Sequence, residues 1–182
     1  MNTAFTQQSM QPGSTAEVIQ TVLILLACFS LPFIVLYFLP FRSNFRAGVK
    51  ALRQEDYETA KAKFEKCLRS KPDSFESHLN LASALMELKQ LDKAISHCRE
   101  AVKIAPDKYE AYMTLSFVYL KMKNYDQSLY YINEAFGREP SQHHKHILFV
   151  NRGVIWSKRN EHDKAMSDYE NAIKIVDNNW TA

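Results

Sequence analysis

From residue 41 onward, apolar residues recur with the spacing of amphipathic helices, and this helical pattern repeats every 34 residues. The period is marked by three prolines, Pro72, Pro106 and Pro140. Four further positions align on it: Tyr57 with Leu91 and Tyr125, Ala60 with Ala94 and Ser128, Phe64 with Cys98 and Ile132, and Cys67 with Ala101 and Ala135. A fixed period of this length indicates stacked units, because one unit cannot bury its apolar face alone.

Each unit is predicted to hold two helices separated by a short turn. A turn-type residue falls between the two helices of every unit, at Asp56, Gln90, Asn124 or Asn160. Acids follow in the first turn of three second helices, at Asp92, Asp126 and Asp163, where the helix dipole favours negative charge. The proline near the end of a unit then prevents the second helix from continuing.

The chain before residue 41 has a different pattern. Residues 1–17 are polar without apolar periodicity, which predicts a disordered tail. Residues 18–39 carry no charge and would form a helix about 33 Å long, enough to cross a hydrocarbon core of about 30 Å. A cleaved signal peptide is disfavoured because no basic residue precedes the segment and its apolar core is too long. We therefore predict a transmembrane anchor over residues 18–39.

Basic residues follow this segment closely and none precedes it, so the positive-inside bias places the tail outside and the repeats in the cytoplasm or an equivalent compartment. Four of them form one stripe of the first helix: Arg42, Arg46, Lys50 and Arg53. The stripe is predicted to contact anionic lipid headgroups at the membrane surface. The alternative is a topology signal on a solvated helix face.

Composition narrows the function. The chain has only 4 glycines and 6 prolines in 182 residues, which favours an all-α fold. Its charges are mixed along the helices, which does not suggest nucleic acid. No nucleophile–base pair, phosphate loop or metal signature is present, so we expect neither an enzyme nor a cofactor.

We assign His143, His144 and His146 to a lengthened solvated turn. The cysteines Cys28, Cys67 and Cys98 are expected to pack as small apolar residues.

The repeat pattern resembles the tetratricopeptide repeat (TPR) family. The third unit shows it most fully, with Tyr112, Leu115, Ser116, Tyr119, Ser128, Ile132, Ala135 and Pro140 at the characteristic positions. The predicted units span residues 41–74, 75–108, 109–142 and, after a shift of three residues, 146–179, followed by a tail at 180–182. The resemblance implies a right-handed α-solenoid of about four helix-turn-helix repeats.

In TPR proteins the first helix of each pair lines a concave groove. The acidic chaperone tails that many of these grooves bind are not expected here, because only Asn80 matches that site and Glu110 would repel a carboxylate. The predicted partner groove consists of Phe45, Val49, Leu79, Asn80, Met113, Phe117, Val150 and Val154, with Leu52, Met86 and Leu120 alongside. Its apolar character suits an apolar or amphipathic helix. The alternative is that these side chains pack between adjacent first helices.

A second candidate surface is the C-terminal edge, where the last helix carries Met166, Tyr169, Ile173 and Val176. TPR arrays usually end in an extra helix with a polar outer face, and none follows the fourth unit in this sequence. Self-association through this edge is one interpretation, and a modestly exposed end is the other.

The function predicted from the sequence is a membrane-anchored scaffold or adaptor that recruits or assembles a protein complex. One alternative is an import receptor of the mitochondrial outer-membrane type, which would bind amphipathic presequences. Another is a bacterial inner-membrane assembly factor. Because presequences are basic, acids bordering the groove would favour the receptor, and only Glu76, Glu87 and Glu110 qualify.

Overall fold

The structure is a computed structural model that describes Ile19 and residues 39–180. The predicted tail at residues 1–17, nearly all of the predicted anchor at residues 18–39, and residues 181–182 lie outside the described residues. Among the residues that are described, no helix combines the length and the apolar character needed to cross a membrane.

Residues 39–180 form eight helices and no strand, which confirms the all-α repeat solenoid. They are α1 Leu39–Arg53, α2 Tyr57–Ser70, α3 Phe75–Glu87, α4 Leu91–Ile104, α5 Tyr109–Lys121, α6 Tyr125–Phe136, α7 Gln142–Lys158 and α8 His162–Trp180. From α2 onward each helix packs against the next one along the chain. In the first pair, Phe45 of α1 lies edge-on to Phe64 of α2. The odd-numbered helices are the first helices of the four pairs.

The turn inside each pair has the same geometry in all four repeats. Its central residue has a left-handed backbone, at Glu55, Lys89, Lys123 and Asn160. In every case the amide of that residue donates to the carbonyl three residues earlier, and the next amide donates to the carbonyl five residues earlier. This is the hydrogen-bond pattern that ends helices when a left-handed residue follows them. The same backbone hydrogen bonds form whether Glu, Lys or Asn occupies the central position.

Small and large residues are matched inside each pair. A Cβ atom on Gly48 would lie 2.8 Å from the ring of Phe64, and one on Gly153 would lie 2.5 Å from the ring of Tyr169. The equivalent positions in the middle repeats hold Ala82 with Cys98 and Ser116 with Ile132, all of them buried. An aromatic ring on the second helix therefore goes together with glycine on the first.

The expectation of a lengthened turn at the three-residue insertion is wrong. His143, His144 and His146 lie in α7, which has 17 residues where α3 and α5 have 13. Ser141 precedes α7, and its hydroxyl lies 2.9 Å from Nδ1 of His144. With no proline after residue 140, the extra residues add about one turn to the helix. No cluster of described side chains could hold a metal ion.

Candidate protein-binding surface on the first helices

The eight residues of the predicted groove all belong to α1, α3, α5 and α7, and all are half-buried. We call the surface that these four helices form the first-helix face. Most of the eight side chains either pack against one of three core clusters or line one of two cavities. Side chains that pack against a core cluster have less exposed surface to offer a partner protein than side chains that line an open cavity.

On α1, the predicted residues Phe45 and Val49 pack against the largest core cluster. The ring centroid of Phe45 lies 5.7 Å from that of Phe64 and 6.1 Å from that of Phe41. Aromatic pairs at these distances stabilise a core. Both groove residues therefore contribute to packing within the first pair.

Leu79 and Met113 are also engaged in packing. Leu79 lies against a small cluster that contains Phe75, and Met113 lies against the cluster around Tyr112. The side-chain amide of Asn80 donates to the carbonyl of Glu76 at 2.8 Å, within α3. For these positions the structure supports the interpretation of half-buried packing residues.

Phe117 has a different environment, because it lines an open cavity of about 590 Å³. The apolar wall of this cavity is formed by Met86 of α3, Phe117 and Leu120 of α5, and Tyr125 at the start of α6. Its charged rim is formed by Glu87, Lys121, Lys123 and Lys158. The volume is typical of pockets that bind ligands. We call this site the first-helix cavity.

The spacing of the first helices explains why the cavity lies here. The backbones of α3 and α5 pack against each other, whereas those of α5 and α7 make at most marginal contact. The three-residue shift of the fourth repeat falls between α5 and α7. The space beside Phe117 is therefore bordered by side chains from the helix ends, including Lys158 of α7.

The groove predicted from the sequence includes neither the rim lysines nor Tyr125. A signal was present, because Lys121 and Lys158 share the thirteenth position of their units, where the second repeat has Glu87. The third lysine, Lys123, occupies the left-handed turn position. A helix-face pattern does not include turn residues, so it could not place Lys123 beside the apolar wall.

The rim of the cavity carries more positive than negative side chains. Nζ of Lys121 lies 3.2 Å from a carboxylate oxygen of Glu87, which links α5 to α3. Neither Lys123 nor Lys158 forms an ion pair with a described residue. Three ammonium groups therefore face one carboxylate, and the rim carries a net positive charge. At the other end of α5, Oε2 of Glu110 is buried without a hydrogen-bond partner among the described atoms.

Val150 is not among the residues that line the first-helix cavity. It lines a second cavity, of about 260 Å³, together with residues of α8 that include Tyr169 and Ile173. Val154 of α7 is half-buried. Of the predicted groove residues, Phe117 therefore lines the first-helix cavity and Val150 lines a separate cavity on the last helix pair.

The C-terminal edge exposes apolar side chains on one face of α8. Met166 is 60% exposed, Ile173 58% and Val176 37%, and their spacing of seven and three residues places them on the same side of a helix. Tyr169 is half-buried above Gly153. This is the largest grouping of strongly exposed apolar side chains on a single described helix.

The predicted membrane-surface stripe is accessible, since all four basic side chains of α1 are exposed. The charge around it is also uneven along the chain. Residues 39–71 contain nine Lys and Arg against four Asp and Glu, whereas residues 72–182 contain 14 against 15. The net positive charge of the protein is therefore concentrated in the first helix pair.

A stack of helix pairs with an apolar cavity on its first helices defines an α-solenoid of the protein-binding class. Two family models, both described as tetratricopeptide repeat, match residues 45–109 and 89–143. Together the two models cover more than half of the chain. The protein therefore belongs to the TPR family. TPR proteins are generally scaffold-like and not enzymatic.

Solved structures with the same fold include MamA from Desulfovibrio magneticus, with a TM-score of 0.64 at 18% identity over 76% of each chain. A TPR protein from Thermus thermophilus has a TM-score of 0.69 at 23% identity, over 75% of each chain. The TPR2B domain of yeast Sti1, solved in complex with pHsp70, has a TM-score of 0.54 at 20% identity, over 75% of this chain and 98% of that one. At these identities the likeness shows the fold alone. No curated protein matches the sequence significantly.

Proposed function

We propose that this TPR protein is an interaction scaffold, anchored in a membrane by residues 18–39, that recruits a partner protein through its first-helix face. The observation that carries the proposal is the first-helix cavity, where an apolar wall remains open on a repeat fold that generally serves protein binding. The Sti1 domain offers a precedent for this fold in complex with another protein.

The partner segment is an apolar or amphipathic helix. The wall offers Met86, Phe117, Leu120 and Tyr125, and methionine and aromatic side chains are frequent at surfaces that bind such helices. Burying an apolar side chain there contributes about 1.5–3 kcal/mol.

The charge at the rim distinguishes between the candidate functions. An import receptor would bind basic presequences, which Lys121, Lys123 and Lys158 would repel. The rim therefore favours the scaffold over the receptor. An inner-membrane assembly factor would use the same anchor and the same face, so it is a special case of the scaffold.

Crosslinking in native membranes followed by mass spectrometry tests the recruitment. The variant Phe117→Glu places a charge in the cavity, and Tyr130→Glu places the same charge at an exposed position of α6. Phe117→Glu is expected to lose specific crosslinked partners that Tyr130→Glu keeps, with the helical content of both variants unchanged. Partners that persist in Phe117→Glu would refute the role of the cavity, and loss of presequence-bearing clients would favour the receptor.

Membrane attachment needs a separate test. The full chain is expected to stay in the membrane pellet after alkaline carbonate extraction, because residues 18–39 are long and apolar enough to span. Replacing Arg42, Arg46, Lys50 and Arg53 by Gln should leave this retention intact and weaken contact of the domain with anionic vesicles. Release of the unaltered chain by carbonate would overturn the anchor.

A further inference from the structure

The first-helix cavity combines two features that the general scaffold function does not require, an apolar wall and a rim of uncompensated positive charge. Lys121 is the rim lysine that is already paired, through its contact with Glu87. Lys123 and Lys158 approach the same opening from the turn after α5 and from the end of α7. Their charges have no partner among the described residues.

The position of Lys123 is determined by the backbone. Its φ of 59° places it in the left-handed region, its amide donates to the carbonyl of Leu120 at 2.9 Å, and the amide of Asn124 donates to the carbonyl of Tyr119 at 2.9 Å. The Cα atom of Lys123 is therefore held beside the apolar wall. A lysine so placed offers three hydrogen-bond donors to a carboxylate at little additional cost in backbone order.

We propose that the first-helix cavity selects a partner segment in which a bulky apolar side chain lies within about four residues of an Asp or Glu. The apolar side chain packs against Phe117, Met86 and Leu120, and the carboxylate accepts hydrogen bonds from Lys123 and Lys158. This inference rests on the proposed function, because it specifies the chemistry of the segment that the scaffold recruits.

Charge complementarity is the physical basis of this choice. A segment with a basic residue beside its apolar anchor brings like charges together, which weakens its binding. An uncharged segment gains the apolar contact without the ion pairs. A segment with an acidic residue gains both the apolar contact and the ion pairs. Salt weakens the contribution of these ion pairs to binding, because the rim is exposed.

The test is a selection of random 12-residue peptides, displayed on phage, against the full chain in phosphatidylcholine nanodiscs. Enriched peptides are expected to carry an acid within four residues of Leu, Phe, Met or Trp. Fluorescence anisotropy of a selected peptide should show at least tenfold weaker binding to Lys123→Glu/Lys158→Glu. Changing the acid of the peptide to Lys should restore binding to that variant and weaken binding to the unaltered chain.

The matched control is Lys89→Glu/Lys174→Glu, which changes the net charge equally at exposed positions that do not line the cavity and includes the same left-handed turn position in the second repeat. It should bind the selected peptide as the unaltered chain does. Equal weakening in both double variants, enrichment without an acidic preference, or no enrichment at all would overturn the inference. Enrichment of apolar peptides that Phe117→Glu abolishes would overturn only the acidic preference and leave the scaffold function standing.

Discussion

The first three repeats and the fourth are joined in different ways. In the regular repeats, the seventh positions of the second and third units hold Leu81 and Leu115, each 1% exposed in the core. In the fourth unit the same position holds Arg152, whose guanidinium donates to both oxygens of Asp168 at 2.8 and 2.7 Å. It also donates to Oδ1 of Asn133 at 2.9 Å and lies 4.6 Å from the ring centroid of Phe136.

This difference shows how a solenoid tolerates an interrupted period. Where the 34-residue spacing holds, identical apolar contacts can repeat. Where three residues are inserted, one arginine bridges α6, α7 and α8, because its planar group can bind a carboxylate and stack on an aromatic ring together. The same interruption accompanies the space beside Phe117, and both the irregular joint and the candidate site include a residue of α7, Arg152 and Lys158 respectively.

Replacing Arg152 by Met should lower the free energy of unfolding by about 3 kcal/mol, because it leaves the carboxylate of Asp168 buried without its partner. The value lies at the lower end of the range for buried pairs, since the side chain of Arg152 keeps 24% exposure. Urea unfolding of the full chain in detergent measures it. Arg152→Leu/Asp168→Leu should recover most of the loss, because it removes the buried carboxylate together with its partner.

The control for this prediction is Arg138→Met. Arg138 donates to Glu134, whose side chain is 36% exposed, and to the hydroxyl of Tyr112, so its loss should cost less than the loss of Arg152. Equal losses from the two variants would mean that the fourth repeat has no special joint.

Gly48→Ala should lower the free energy of unfolding by about 1–3 kcal/mol, because the added methyl group meets the fully buried ring of Phe64. Gly153→Ala should cost less, since the opposing Tyr169 is only half-buried and can move. Thermal unfolding of both variants tests the order. Gly48→Ala/Phe64→Leu should recover stability, and no recovery would contradict the matching of small and large residues.

Acidification should destabilise the regular repeats through the histidine pair of the second unit. Nδ1 of His78 and Nδ1 of His97 lie 3.0 Å apart, and Nε2 of His78 donates to the carbonyl of Pro72. Burial, together with the charge of His78, lowers the pKa of His97, against the opposing effects of Glu65 and Glu100.

The sign follows from proton binding. Below about pH 6.5 the unfolded chain binds a proton at His97 more readily than the folded chain, so stability falls as the pH drops from about 6.5 toward the lowered pKa. Urea unfolding at pH 7.5 and pH 5.5 should show this loss, and His97→Gln should reduce the difference. The same pH dependence in His97→Gln would assign the effect to other groups.

The smallest effect on stability is expected at the C-terminal edge. Ile173→Glu should change the free energy of unfolding by less than about 0.5 kcal/mol, because Ile173 is exposed. It should nevertheless convert a self-associated protein to a monomer in sedimentation experiments in density-matched detergent. Ile104→Glu, on an exposed residue of α4, is the matched control. A monomeric unaltered protein would refute self-association through this edge.

Much of the fold was predictable because its causes are local. The period predicted helix pairs, and Asp56 and Asn124 do cap α2 and α6 by accepting from the amides of Thr59 and Gln127. Asn160 also lies in the predicted turn, where it occupies the left-handed position and not the helix N-cap. The prediction that the three histidines lie in a turn was wrong. An insertion can lengthen a helix as readily as a loop, and the local sequence pattern does not distinguish these two outcomes.

The candidate site was predictable only in part. Phe117 was assigned to the groove together with Phe45 and Leu79, because all three lie on the same predicted face. The pattern cannot distinguish them, since exposure depends on the distance to the neighbouring first helix. The two phenylalanines therefore have different environments: Phe117 lines the cavity, whereas Phe45 packs against Phe64.

The sequence alone determined that this protein is a stack of TPR helix pairs, because helix formation, capping and the 34-residue repeat depend on contacts within and between adjacent units. Tertiary structure decided where that stack is open, because an apolar side chain is buried or accessible according to the spacing of helices that are distant in sequence. It also brought Lys123 and Lys158 to the same opening. Residues from different repeats can form one site only after the repeats are stacked.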